Sequence, residues 1–203
     1  MYVIFASSFT VVAVVMVAIH SLENSSDTED VSQVLLDRFL TPYKPNCRYL
    51  KQAQFHYLDS KVNAMSNSKL ERNWVFKGDF AIPESCYIDD TGHFNSVEFN
   101  ICYNQLFYIM MAYLIERQML VAMSDWDLDT FKCRQLSDFL ITNFSSKFRQ
   151  PINSDRFKGE LSIDRCSARR ELILLKTSCA FLDQNGRAEG EVTIAVLNKQ
   201  LER

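Results

Sequence analysis

The chain has 203 residues and a formal net charge of −3, with 47% hydrophobic and 23% charged residues. This balance is typical of a globular protein and favours one domain, or one domain with a tail. Only five Gly and four Pro residues are present, which excludes collagen-like and low-complexity classes. Because the chain is slightly acidic, it has no overall positive field, and we expect no nucleic-acid partner.

The cysteines and histidines give no sign of a metal centre. The six cysteines form no Cys-x-x-Cys pair, and none of the three histidines lies at ligand spacing from them. The sequence therefore predicts no metal site. A chain of this length does not need a disulfide framework, so we expect reduced thiols and a cytoplasmic location.

The first thirty residues differ from the rest. Residues 2–19 are apolar and uncharged, and they are marginally long enough to cross a bilayer, but they lack the basic start of a signal peptide. A membrane anchor, an extra strand and a wrongly chosen start codon all remain open, so membrane contact through residues 2–19 is one of the expectations. Residues 21–30 are polar and predict a solvated linker. We therefore divide the chain into an N-terminal segment with linker, 1–30, and one folded domain, 31–203.

The first half of the domain contains a short helix, a hairpin and one long helix. Apolar residues at 31, 34, 35 and 39 predict an amphipathic helix that ends before Pro42. Residues 47–58 and 72–82 predict two strands of a hairpin. From residue 95 to about 118 the pattern predicts a helix that is apolar nearly all round, which is typical of a helix buried on most sides.

The second half is dominated by strands. A short helix is predicted over 127–136, and strands follow over 139–152, 157–165, 169–183 and 190–197. Asn185-Gly186 is a strong hairpin-turn signal between the last two strands. One buried helix among antiparallel strands indicates the α+β class. A sheet wrapped around the long helix, the hotdog fold, satisfies both features.

Chemistry-bearing residues concentrate just before the long helix. His93 directly precedes the predicted helix start, where free backbone N–H groups can hold a developing oxyanion. His93 is therefore a candidate proton carrier, and the alternative is a structural histidine in a turn. Asn95 and Glu98 stand at the N-cap and N3 positions, where they form a capping box or contact a ligand.

The segments PYKPNCRYL, IPESCYIDDTGHFN, VEFNICYNQL and SKFRQPIN closely resemble the FcoT-like family, over about residues 31–197. That family includes long-chain fatty-acyl-CoA thioesterases and (2E)-enoyl-acyl-carrier-protein glycyltransferases of isonitrile lipopeptide biosynthesis. The resemblance implies a hotdog fold and a fatty acyl thioester substrate on CoA or an acyl carrier protein. The phosphopantetheine then belongs to the substrate, and no cofactor of the protein's own is expected. Hotdog subunits generally pair, so we expect a homo-oligomer.

The resemblance also implies site residues. Substrate-contacting positions of the thioesterase branch match Tyr43, Tyr87, Asn95 and Asn104. The sequence Gly-His-Phe before the long helix also resembles hotdog dehydratases, which place a catalytic histidine there. We therefore predict His93, Tyr87 and Asn95 as catalytic residues.

Four further residues are predicted to bind substrate beside Tyr43. Asn104 is an amide in an apolar helix, where it must be paired with substrate or with a packing partner. Glu84 either supports His93 or ends a strand. Glu98 is the only acidic residue near the start of the long helix. Arg149 is a candidate clamp for a carboxylate or a phosphate, and the alternative is an ordinary surface charge.

The long helix offers amides where a hydrolase would use an acidic group. Amides orient a substrate but cannot take protons. Within the family that the chain resembles, this favours the glycyltransferase branch, to which the segments IPESCYIDD and GHFN are also nearer. The resemblance thus implies addition of glycine to the β-carbon of a (2E)-enoyl thioester. Thioester hydrolysis is the alternative, and a non-catalytic acyl-binding protein is a further one.

Overall fold

The computed structural model describes residues 28–57, 74–89, 92–169 and 171–198. In this part of the chain, seven strands form one antiparallel sheet in the order β1-β2-β3-β5-β6-β7-β4. The strands are β1 (Thr28–Asp30), β2 (Leu50–Tyr57), β3 (Trp74–Phe80), β4 (Phe139–Gln150), β5 (Phe157–Arg169), β6 (Leu172–Leu182) and β7 (Arg187–Leu197). The α-helices are α1 (Gln33–Phe39), α2 (Ser96–Glu116) and α3 (Leu128–Arg134).

Helix α2 is the centre of the fold. Of its 21 residues, 15 are buried, because the sheet covers one side while α1 and α3 pack on others. An element enclosed in this way needs no polar face, which explains its apolar sequence. The α+β class and the hotdog arrangement of a sheet around one long helix are confirmed.

An aromatic cluster fixes the start of α2 against the sheet. The rings of Phe94 and Phe157 lie 4.7 Å apart, and those of Phe99 and Phe181 lie 4.8 Å apart. Gly190 on β7 leaves room for this cluster, because a Cβ there would lie 2.8 Å from Cζ of Phe99. The beginning of α2 is therefore held rigidly, and so are the residues that precede it.

The hairpin between β6 and β7 turns at Asn185-Gly186, as predicted. One carboxylate oxygen of Asp183 accepts hydrogen bonds from the backbone N–H groups of Asn185 and Gly186. Gly186 is required for a further reason, since a Cβ at this position would lie 2.1 Å from the carbonyl oxygen of Pro151. The turn thereby packs against the segment that follows β4.

Strand β4 is one edge of the sheet. Within the described residues it pairs with β7 on one side only, and most of its side chains are exposed. Leu140, Ile141 and Phe148 are apolar residues that remain exposed there. A strand of 12 residues with such a surface is an unprotected edge.

The sheet begins earlier than the sequence predicts. Residues 28–30, assigned above to the linker, form β1 and pair with β2. The reason is a side-chain anchor: Glu29 accepts a hydrogen bond of 2.8 Å from the hydroxyl of Tyr113 and forms an ion pair with Arg117. Both partners lie at the end of α2, so they hold this short edge strand in place.

Other boundaries differ by a few residues, as expected where helix and strand ends fray. The long helix ends at Glu116, and the last strand starts at Arg187. Residues 1–27, which include the apolar segment 2–19, lie outside the described residues, and so do residues 58–73; the predictions for them stay predictions. None of the helices in the described ranges combines the length and apolarity that crossing a membrane requires.

Candidate functional site

The site is built on the first turn of α2. Asn95 caps this helix: its Oδ1 accepts hydrogen bonds from the N–H groups of Val97 (3.0 Å) and Glu98 (3.2 Å). Oε2 of Glu98 in turn accepts a hydrogen bond of 3.1 Å from the N–H of Asn95. These bonds form the complete capping box that the sequence offers. They orient both side chains without any ligand.

The capping bonds use the side-chain oxygen of Asn95 and leave its Nδ2 group without a partner among the described residues. Its Oδ1 also accepts a hydrogen bond of 2.7 Å from the hydroxyl of Tyr87, so three donors converge on this oxygen and fix which way the amide points. The Nδ2 group then faces away from them, and it is buried with no hydrogen-bond partner in the described part of the chain. A buried donor left unpaired costs about 1–3 kcal/mol. This group is therefore ready to donate to a ligand.

His93 lies beside Asn95 at the rim of a cavity of about 370 Å³. The cavity is bounded by the residues before α2 and by the end of β4, including Phe148 and Pro151. His93 itself is exposed, while its neighbour Phe94 is buried and donates its N–H to the carbonyl of Ile152 at 3.0 Å. The buried neighbour fixes the backbone, so the imidazole is presented at the cavity.

Tyr87 reaches the site from the loop after β3. Partial desolvation and the nearby Glu98 carboxylate raise the pKa of Tyr87, which keeps its hydroxyl protonated and able to donate. The loop is anchored one residue earlier, where the N–H of Cys86 donates to the hydroxyl of Tyr49 at 3.0 Å. The structure thus brings together all three residues predicted to be catalytic: His93, Tyr87 and Asn95.

One part of the predicted chemistry needs correction. The free N–H groups at the start of α2 were expected to hold an oxyanion, but those of Val97 and Glu98 are occupied by Asn95. The capping box forms because its hydrogen bonds are local and need no substrate. The side-chain Nδ2 of Asn95 therefore replaces these backbone groups as the available donor.

The predicted substrate-binding residues Asn104, on α2, and Tyr43, in the loop after α1, lie away from the first turn of α2. Asn104 follows Asn95 by nine residues, roughly 13 Å along a helix axis. Its Nδ2 donates to Oδ1 of Asn100, and the side chain is half-buried. Tyr43 is also half-buried and packs against the core; burial, with Tyr108 and Cys102 nearby, raises its pKa. These residues belong to the flank of α2 and not to its first turn.

Glu84 and Arg149 are the remaining residues predicted to bind substrate. Glu84 is exposed. Arg149 borders the cavity, but its guanidinium donates to Oε1 of Glu189 at 2.7 and 2.9 Å, which lowers the pKa of that glutamate. An anion in the cavity would have to compete with this carboxylate for Arg149.

The fully buried amide of α2 is Gln105 rather than Asn104. Its Oε1 accepts hydrogen bonds from the N–H groups of Tyr49 and Leu50, both at 2.9 Å, and its Nε2 donates to the carbonyl of Cys47 at 2.6 Å. Gln105 thereby fastens the start of β2 to α2. The sequence signal was an amide flanked by apolar residues, which Asn104 and Gln105 share.

Two cysteines that are distant in sequence lie near this fastening. The thiol of Cys47 donates to Oδ1 of Asn46 at 3.6 Å. Burial, followed by the influence of the Cys86 thiol, raises the pKa of Cys47 to about 11. A thiol that stays protonated at neutral pH is a poor nucleophile. Within the described ranges, no group of three or more Cys, His, Asp or Glu side chains is arranged to hold a metal ion.

Comparison with known proteins gives a consistent family assignment. The model of the FcoT-like thioesterase domain matches residues 38–196. A (2E)-enoyl-[ACP] glycyltransferase of Streptomyces coeruleorubidus is 38% identical over 172 residues, which cover 82% of this chain and 97% of that protein. A protein of the same name from Mycobacterium tuberculosis strain H37Rv is 37% identical, covering 86% of this chain and 91% of that protein.

Among solved structures, a Staphylococcus aureus protein in complex with CoA aligns with a TM-score of 0.42 at 14% identity, covering 66% of this chain and 75% of that one. The family model spans most of the described sheet and all of α2, including the capping box and the cavity beside it. The chain belongs to the FcoT-like thioesterase domain family.

Proposed function

We propose that the protein adds glycine to the β-carbon of a (2E)-enoyl group carried as a thioester on an acyl carrier protein. The relatives that carry the glycyltransferase name support this at 37–38% identity over most of the chain. The resemblance stated above associates the reaction with isonitrile lipopeptide biosynthesis. The carrier's phosphopantetheine belongs to the substrate, so the protein supplies only its own side chains.

The observation that carries the proposal is the buried Nδ2 of Asn95. A donor that is fixed in direction and unpaired within the described residues suits the oxygen of a thioester carbonyl. When the glycine amine attacks the β-carbon, electron density moves through the α-carbon to this oxygen, and a donor already in position stabilises the resulting enolate. The donor needs no reorganisation when the charge develops.

The remaining step is proton transfer. The attacking amine loses a proton, and the α-carbon gains one when the enolate collapses. His93 stands at the cavity rim beside Asn95, where an imidazole can accept the first proton and deliver the second. Tyr87 keeps the amide of Asn95 oriented through its hydroxyl.

The same geometry gives less support to thioester hydrolysis. Glu98 is the only acidic side chain in the first turn of α2, and it is buried with one oxygen accepting from the N–H of Asn95. A carboxylate used in this way is poorly placed to activate a water molecule or attack a thioester. A purely acyl-binding role would not need His93 at the cavity.

The assignment is tested by incubating the protein with enoyl carrier protein, with and without glycine, and measuring the intact mass of the carrier. The proposal expects the carrier to gain the mass of one glycine only when glycine is present. Release of the free acid would show hydrolysis, and an unchanged mass with a stable complex would show acyl binding alone. Either of these two results would contradict the proposal.

We also propose a homo-oligomer that pairs along β4. This strand is an unprotected edge with exposed Leu140, Ile141 and Phe148, and pairing with a second copy would cover it. The cavity beside His93 is bounded by the same strand, so pairing would bring it close to the interface. Light scattering should give at least a dimer for the wild type and a smaller species for Ile141→Lys. A wild-type monomer would refute this.

A cytoplasmic location remains part of the proposal. All six cysteines are free thiols, a state that a reducing compartment maintains.

A further inference from the structure

Five basic side chains gather next to Tyr43, away from the first turn of α2. We define this basic surface by its members: Arg38, Lys44, Arg48, Lys51 and Lys132. Lys132 donates to the carbonyl of Arg38 at 2.7 Å, and partial burial together with the charges of Arg38 and Arg48 lowers its pKa. Lys51 donates to the carbonyl of Arg48 at 2.7 Å. These interactions link Arg38, Arg48, Lys51 and Lys132, and Lys44 is exposed on the loop between Arg38 and Arg48.

The positive charge of this surface is largely uncompensated. Arg38 pairs with Asp129. Arg48 and Lys51 instead donate to backbone carbonyls, and Lys132 donates to a backbone carbonyl, the hydroxyl of Thr41 and the amide oxygen of Gln135. No carboxylate in the described part of the chain pairs with these three or with Lys44. The whole chain has a net charge of −3, so these four cations form a local positive surface on an otherwise slightly acidic protein. Such a surface can attract an anionic partner.

The basic surface adjoins Tyr43, which is predicted to bind substrate: the guanidinium of Arg48 donates to the carbonyl of Tyr43 at 3.1 Å. Tyr49, the next residue after Arg48, accepts through its hydroxyl a hydrogen bond from the N–H of Cys86. Tyr87, the next residue after Cys86, donates through its hydroxyl to Oδ1 of Asn95. These hydrogen bonds connect the basic surface to Asn95.

We propose that the basic surface is the docking site of an acidic carrier protein, whose acylated phosphopantetheine arm then reaches along α2 to Asn95. This inference rests on the proposed function and specifies how that substrate is recognised. The cations come from the end of α1, the loop after it, the start of β2 and α3. Cations distributed over four segments can pair with several separate carboxylates on a protein surface. The phosphates of one small molecule would reach fewer of them.

The test uses the double variant Lys44→Glu/Lys51→Glu, since both side chains are exposed. Its matched control is Lys158→Glu/Lys176→Glu, which makes the same change of charge at two exposed lysines on β5 and β6. Glycine addition is measured with the same enoyl group on three carriers: the carrier protein, CoA, and phosphate-free pantetheine. Binding of the unacylated holo-carrier is measured separately by fluorescence anisotropy.

With the carrier protein, the Lys44/Lys51 variant should raise KM and weaken holo-carrier binding by at least about tenfold, with kcat within about twofold. The difference in KM and in holo-carrier affinity between the wild type and the variant should decrease as the salt concentration rises. With pantetheine, the variant should match the wild type, and the control should match it on all three carriers. Unchanged carrier binding, or an equal loss with pantetheine, would overturn the proposal.

A loss with CoA as large as that with the carrier protein would also overturn it, because it would assign the surface to small anionic ligands. The binding measurement separates this inference from the proposed function. If the holo-carrier binds to the wild type and not to the Lys44/Lys51 variant, but no glycine is added, the docking surface stands and the proposed reaction fails.

Discussion

Replacing Gln105 by leucine should destabilise the protein far more than a typical glutamine replacement. The leucine side chain has a similar size but forms no hydrogen bonds, so the N–H groups of Tyr49 and Leu50 and the carbonyl of Cys47 lose their partner. Tyr49 and Leu50 are buried, where water cannot easily replace the amide. Cys47 is half-buried, so its carbonyl retains some access to water.

The expected magnitude follows from the two buried donors. Each costs about 1–3 kcal/mol when it is left unpaired, so we expect a loss of roughly 2–6 kcal/mol in the free energy of unfolding. A loss near 3 kcal/mol would lower the melting temperature by about 6–12 °C in a domain of this size. Gln33→Leu is the matched control, because the side chain of Gln33 is exposed and, among the described residues, bonds only to Asp37 on the same helix.

Urea denaturation followed by circular dichroism measures both variants. The control should stay within about 0.5 kcal/mol of the wild type. At urea concentrations below its unfolding midpoint, Gln105→Leu should also be less active than the wild type. The reason is that Gln105 holds the backbone of Tyr49, and the hydroxyl of Tyr49 anchors the loop of Tyr87 by accepting from the N–H of Cys86. If both variants have the same midpoint urea concentration of unfolding as the wild type, Gln105 does not stabilise the attachment of β2 to α2.

Three further predictions concern single positions. His93→Ala should lower glycine-addition turnover by about 10²–10⁴-fold, the range for one acid–base group, in a protein with an unchanged melting curve; near-wild-type turnover would exclude proton transfer by His93. Gly186→Ala should destabilise the protein by more than about 1 kcal/mol, because the new Cβ meets Pro151, and a wild-type melting temperature would show that the turn can shift freely. At pH 7, iodoacetamide should label Cys47 more slowly than exposed Cys133, because the raised pKa of Cys47 keeps its thiol neutral. The labelling rate of Cys47 should then rise roughly tenfold per pH unit up to about pH 10. A labelling rate of Cys47 that is already constant above pH 8 would contradict this.

Much of the fold was predictable because its signals are local. The apolar sequence of α2 indicated a helix enclosed on most sides, and Asn185-Gly186 fixed the last hairpin. The capping box was visible in the spacing of Asn95 and Glu98. These features depend on neighbours within a few residues, so one sequence is enough to find them.

The features that the sequence did not reveal depend on contacts between distant segments. Thr28–Asp30 joins the sheet because Glu29 meets the far end of α2, which no local pattern shows. Gln105 and Asn104 are adjacent amides, and only the position of β2 decides which of them is buried. The hydrogen bond from the N–H of Cys86 to the hydroxyl of Tyr49 likewise requires the loop after β3 to fold back onto the start of β2.

The central claim is that Nδ2 of Asn95 polarises the enoyl thioester, and Asn95→Ser tests it most directly. Serine is about as good an N-cap as asparagine, so the helix cap is kept while the amide donor is lost. Asp127→Ser makes the matching change at the cap of α3, where Asp127 accepts from the N–H of Thr130, away from the site. Its turnover should equal that of the wild type.

The decisive measurement is the single-turnover rate of glycine addition to enoyl carrier protein by Asn95→Ser. We expect a rate lower by about 10²–10³-fold, the usual effect of removing one oxyanion donor, with a melting temperature close to that of Asp127→Ser. A well-folded Asn95→Ser protein that adds glycine within about threefold of the wild-type rate would contradict the claim.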